Sequence, residues 1–166
     1  MSLTIERERL RLARDREPTP VKLGESEFML APHGSGNGYP LILRNADLQI
    51  EMGELSNPPF FVTFRSEALW RHSAHGMHRK FLAWAAGLNY APIRPEILSR
   101  VDFAFDFDLP EIDFDERSFV SLSSKDSQHR EHGRIQTFTF GKSDVVLRMY
   151  DKVAEIRQQS GKVWFY

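Results

Sequence analysis

The chain predicts an α+β fold, an antiparallel β-sheet with helices packed mainly on one face. Two observations carry this. Many short runs rich in β-branched and aromatic residues are separated by turn residues, mostly at hairpin spacing. Only about two stretches repeat their apolar residues at helical spacing. Strands in hairpins with few helices give an antiparallel sheet covered on one side.

Residues 1–20 are charged and end in Glu17-Pro18-Thr19-Pro20, an expected solvated arm or short helix ahead of a domain over 21–166. Residues 22–30 are expected to form the first strand, and Gly34-Ser35-Gly36-Asn37-Gly38 a turn. Residues 39–52 carry a second, partly alternating segment anchored by Leu41, Leu43, Leu48 and Ile50. Asn57-Pro58-Pro59 breaks it, and Phe60 to Phe64 reads as a third strand. Residues 66–70 are expected to open a short turn. From Met77, the residues Phe81, Leu82, Trp84, Ala85 and Leu88 recur at helical spacing, and Gly87 with Asn89 supplies a stop. Residues 99–108 are expected to form a strand, 109–130 a mixed loop, and 134–140 and 145–150 the two strands of a hairpin around Gly141-Lys142-Ser143-Asp144. A helix is expected from 151 or 152 to about 159. The run Lys162-Val163-Trp164-Phe165-Tyr166 then reads as the start of another strand, so the chain is expected to be the N-terminal portion of a longer protein.

With 41% hydrophobic and 12% aromatic residues, composition excludes a disordered chain. No run approaches the ~18 apolar residues of a membrane span. Cysteine is absent, which excludes a disulfide framework and thiolate metal sites, and the expected compartment is the cytoplasm. The formal net charge is −1, so any contact with nucleic acid falls to local basic clusters.

The stretch Arg100-Val101-Asp102-Phe103-Ala104-Phe105-Asp106-Phe107-Asp108 alternates. In a strand, the valine and phenylalanines face a core, and Asp102, Asp106 and Asp108 share the other face. Same-face neighbours lie ~7 Å apart, so like charges repel there. A hard divalent cation, Mg²⁺ or Mn²⁺, would relieve the repulsion. A wet face neutralised by Arg100 and other cations would do so equally.

Val145-Val146-Leu147-Arg148-Met149-Tyr150-Asp151-Lys152 also alternates, with Arg148, Tyr150 and, if the strand persists, Lys152 on one side. A phenol of pKa ~10 is a weak nucleophile at neutral pH, and flanking cations stabilise its phenolate. Tyrosyl–phosphodiester chemistry needs such a phenol, with cations or a metal at the phosphate. Glu155, one turn on, either joins a carboxylate cluster or pairs with Lys152 or Arg148. Read without chemistry, the same residues are an ordinary exposed strand face.

Taken in order, Ser99 to Asp106, Thr139-Phe140-Gly141-Lys142-Ser143 and Leu147 to Ile156 resemble the rolling-circle replication initiators of plasmids and filamentous phages, more narrowly the replication initiation factor or Rep_trans-type group. The specific parts are R-x-D-x-x-x-D and R-x-Y-D-K-x-x-E. The resemblance implies a DNA-nicking endonuclease and strand transferase that stays linked to the 5′-phosphate while the free 3′-hydroxyl primes replication. It implies Tyr150 as nucleophile, with Arg148 and Lys152 supporting the phosphate. It further implies Asp102, Asp106 and Glu155 as ligands of Mg²⁺ or Mn²⁺. The partners it implies are single-stranded or hairpin origin DNA and a host helicase, with a homodimer as the assembly and no membrane. Candidate DNA contacts are Arg100, Arg130, Arg134 and Lys142. The His-hydrophobic-His motif of many rolling-circle nucleases is missing here, and the resemblance implies that the carboxylate strand would have to replace it. The alternative is a DNA-binding or regulatory domain of the same fold without the chemistry.

Other motifs weigh less. His72, His75 and His78 spread over ~120° of helix, with Gly76 between them, and converge poorly on one ion. The glycine-rich turn lacks the ending of a phosphate loop. Lys125, His129, Arg130, His132 and Arg134 form a local basic patch suited to phosphate.

Overall fold

A computed structural model of the chain describes residues 17–108, 121–131, 134–142 and 144–156, without the side chains of Glu131 and Arg134. The expected N-terminal arm up to residue 16, most of the loop before the hairpin and the run 162–166 lie outside the described residues. The architecture is α+β: antiparallel sheets of five and three strands, with a long helix against the larger sheet. The chain divides into two compact units, Met1–Arg100 and Val101–Tyr166.

The first unit holds β1 (Thr19–Leu23), β2 (Ser26–Leu30), β3 (Leu41–Arg44), β4 (Leu48–Met52) and β5 (Phe60–Phe64), paired in chain order. Residues 22–30 are thus the two arms of a hairpin rather than one strand. The reversal turns on Gly24, whose φ of +62° is open to glycine at no steric cost. Residues 39–52 likewise form a hairpin, closed by Asn45, whose side-chain oxygen accepts from the Asp47 and Leu48 amides.

Register explains the core. Thr19, Leu30, Leu43, Ile50 and Val62 stand opposite one another across all five strands, so they share one face. Leu30, Leu43 and Ile50 are fully buried. Helix α1 (Ser66–Gly87) covers that face with Ala68, Leu69, Met77, Phe81 and Trp84. Trp84 meets Phe28 edge-on at 5.5 Å and donates its indole N–H to the Leu23 carbonyl at 3.1 Å. Outside the core, Asp47 of the β3–β4 turn accepts from Lys80 of α1 at 2.5 Å, tying turn to helix.

The helix is two segments. Ser73 breaks it with φ +61° and ψ 164°, and its hydroxyl accepts from the Gly76 amide at 3.2 Å as the N-cap of the second segment. Helical structure therefore starts at Ser66, where a short turn was expected. On the opposite face of the sheet, Arg44 donates to Gln49 at 2.7 Å and Gln49 to the buried Glu51 at 2.9 Å.

The second unit holds β6 (Asp126–Glu131), β7 (Arg134–Lys142), β8 (Val145–Tyr150) and the short α2 (Lys152–Glu155). The hairpin of β7 and β8 forms as expected. β7 runs on through Gly141, expected in the turn, to Lys142; Gly141 pairs with Val146, its φ is +101°, and a Cβ there would meet the Val145 carbonyl oxygen at 2.3 Å. The strand β6 lies within residues expected to be loop.

The strand expected over residues 99–108 does not form. These residues have no regular backbone pairing, and Phe103, Phe105 and Phe107 are about four-fifths exposed rather than turned into a core. Alternation supplies the two faces of a strand, but a strand needs a ladder partner for its amides and carbonyls.

Candidate nucleic-acid interface

The three strands of the second unit gather chemistry that the linear sequence keeps apart. Residues directly opposite in antiparallel strands share a face. His129 of β6 stands opposite Thr137 of β7, and Thr137 opposite Tyr150 of β8. Ser127, Thr139 and Arg148 make the next row. One face of the sheet therefore carries an imidazole, a phenol, a guanidinium and three hydroxyls. With strands ~4.8 Å apart, the His129 and Tyr150 backbones are roughly 10 Å from each other, a span suited to a nucleotide backbone. His129, Arg148 and Tyr150 are all exposed.

On the other face β7 and β8 present mainly apolar residues beside Lys142, and β6 adds Gln128 and Asp126 opposite Phe138 and Phe140. Phe138 and Phe140 stack at 6.1 Å, with Leu147 and Met149 opposite them. Phe138 is buried and Leu147 more than half exposed. The polar and apolar faces follow from period-two alternation in β7 and β8.

Lys152 reaches the polar face by a different route from the one expected. The strand stops at Tyr150, and Asp151 caps α2 by accepting from the Ala154 amide at 3.0 Å. The first helical residue, Lys152, then turns back so that its ammonium lies 5.4 Å from the centre of the Tyr150 ring. Its Nζ also donates to Glu155 at 2.6 Å. Partial burial works against the charged ammonium, but the Glu155 carboxylate and the Tyr150 phenol outweigh it. Together they hold the Lys152 pKa above the ordinary lysine value.

The remaining candidates separate. Glu155 is placed beside Lys152, the pairing that its spacing allowed. Arg130 lies at the end of β6, just after a register shift, exposed and donating to Gln128 at 3.5 Å. Lys142 pairs with Val145 at the hairpin end, a position that alternation groups with Phe140 and Leu147 rather than with Arg148. The Arg134 side chain lies outside the described residues. Arg100, Asp102 and Asp106 fall in the exposed segment without strand pairing, and each has an interaction of its own. Among the described residues, no three of His, Asp and Glu close into a group able to hold a metal ion, so Asp102, Asp106 and Glu155 do not assemble as one.

His129 is the residue that site assignment from sequence passed over. It was visible only as part of a basic patch. Its relation to Tyr150 runs through Thr137 and depends on register in two ladders. Comparison of the chain with protein-family models, with curated proteins and with solved structures gives no match. Among the described residues, no helix is long and apolar enough to cross a membrane.

Proposed function

We propose that the chain binds single-stranded or hairpin origin DNA in the cytoplasm and nicks it through Tyr150, starting rolling-circle replication. The observation that supports this most is the polar sheet face, where the phenol of Tyr150 lies between Arg148 on its own strand and the Lys152 ammonium over its ring. Arg148, Lys152 and His129 would meet the phosphate oxygens. In the reaction, Tyr150 Oη loses its proton to solvent and bonds to phosphorus. The bond from phosphorus to the 3′ oxygen breaks, and that oxygen takes up a proton. The products are a tyrosyl 5′-phosphate and a free 3′-hydroxyl. Mg²⁺ or Mn²⁺ belongs to the same proposal through the resemblance. The described residues do not gather a ligand set for it, and each step runs through the chain's own groups and solvent.

A second reading is a DNA-binding domain without chemistry. It is favoured by the exposure of the same face, which leaves His129, Arg148 and Tyr150 accessible to a backbone. One experiment separates the two. The full chain is incubated with labelled single-stranded and hairpin oligonucleotides, with and without Mn²⁺, and resolved under denaturing conditions. Nicking predicts a covalent adduct that Tyr150→Phe abolishes. An adduct that survives Tyr150→Phe removes Tyr150 from the role. Salt-dependent binding without any adduct supports the binding domain.

A further inference from the structure

We infer that the first unit carries a single-stranded DNA contact of its own on the solvent side of α1, where Trp70 stacks on a base and Arg71 and Arg79 meet the flanking phosphates. The inference rests on the reading of the chain as a DNA-binding protein and adds a surface that the Tyr150 face does not include.

Trp70 is 86% exposed, although α1 buries its aromatic residues elsewhere. Phe81 and Trp84 pack on the sheet. Opposite the buried Ala68 and Met77, the helix leaves Trp70, His75 and Arg79 in solvent. The surroundings are cationic. Arg65, Arg71, Arg79 and Lys80 lie within or next to this stretch, with Glu67 and Asp47 as the carboxylates paired to Arg71 and Lys80. An exposed aromatic ring among cations is the combination that binds single strands, because every base has a π-face and every linkage a charge. Arg71 and Lys80 already have carboxylate partners, and Arg65 and Arg79 add exposed positive charge with no carboxylate paired to it among the described residues, which favours an anionic strand over a purely apolar partner.

A further observation falls at the same place. Ser73 holds φ +61° with ψ 164°, a combination that residues with a Cβ rarely adopt. Such strain persists only where the surroundings over-determine it, and it clusters at functional sites. Here it ends the first helical segment three residues after Trp70, so the indole stands at a corner and not along a continuous helix.

The test is the affinity of the full chain for labelled oligothymidylate, read by fluorescence anisotropy. Trp70→Ala and Trp70→Leu should each weaken binding about tenfold, while Trp70→Tyr keeps most of it. Arg79→Ala should flatten the dependence of log affinity on log salt by about 0.7. Thermal melting checks that each variant is folded, and the Leu variant retains apolar bulk without an indole. Affinity unchanged in Trp70→Leu overturns the inference, as does blunt duplex bound as tightly as the single strand and with no dependence on Trp70. If Tyr150→Phe abolishes the adduct while affinity ignores Trp70, this inference fails and nicking stands. If affinity depends on Trp70 in a protein that forms no adduct, nicking fails and this inference stands.

Discussion

The Lys152 ammonium sits 5.4 Å from the Tyr150 ring centre and 2.6 Å from Glu155, so one cation joins the end of β8 to the first turn of α2. Its pKa in the folded chain lies above the unfolded value of 10.5. The resulting stability is fully present below pH 10.5 and is lost as pH rises through the folded value. A pair of this exposure is worth ~0.2–1 kcal/mol. Lys152→Met should therefore melt below the wild type at pH 8, and the gap should close as pH rises from there through the raised folded value. Melting curves followed by circular dichroism across that range test it. A gap that widens with pH would contradict the assignment.

The Asp47–Lys80 pair behaves oppositely. The hydrogen bond from Lys80 holds the Asp47 carboxyl below its ordinary 3.8, with help from Arg71 and His72 against partial burial. Its contribution is present above pH 3.8 and disappears as pH falls through the lower folded value. Asp47→Asn should destabilise the first unit by several tenths of a kcal/mol near neutrality, and the loss should vanish as pH falls through the lowered folded value. Urea unfolding at several pH values measures it.

At Ser73, cap and strain oppose each other. Glycine at an N-cap costs only a few tenths of a kcal/mol relative to serine, whereas relief of a conformation reserved for glycine returns ~1–3 kcal/mol. Ser73→Gly should thus raise stability by about 1 kcal/mol. Ser73→Ala keeps the strain and loses the hydroxyl that meets the Gly76 amide, so it should lower stability by a similar amount. Opposite signs for two small substitutions at one position would be hard to obtain from any other origin.

How legible these features were in the sequence depended on whether the signal was local. The hairpin of β7 and β8 was readable because alternation on both sides meets turn chemistry in Gly141-Lys142-Ser143-Asp144. The strand β6, Asp-Ser-Gln-His-Arg-Glu, was not, because it has no apolar anchor and is held by its ladder to β7. The reversal at Gly24-Glu25 was hidden because glycine followed by glutamate is a weaker turn signal than Asn-Gly. In the candidate site, Tyr150 and Arg148 could be grouped from parity along one strand. His129 could not, since its place beside them is set by two ladders and a register shift next to it. The clearest alternation in the chain, residues 101–108, forms no strand, because alternation specifies which faces a segment would have and not that another strand lies beside it.

The same contrast yields a paired prediction. Ile50 is fully buried at the centre of the row from Thr19 to Val62, with strands on both sides and α1 above. Ile50→Ala removes buried methyl groups and leaves a cavity that neighbours on two strands cannot easily close. It should cost ~2–5 kcal/mol. Phe105 is the larger side chain and sits in the more hydrophobic-looking segment, yet it is 78% exposed. Phe105→Ser should change stability by no more than ~0.5 kcal/mol, the range for surface positions. Denaturant unfolding of the two variants measures both values under identical conditions. A loss of 2 kcal/mol or more at Phe105 would show that the segment is packed in solution, and a loss at Ile50 within ~0.5 kcal/mol would contradict the register of the larger sheet.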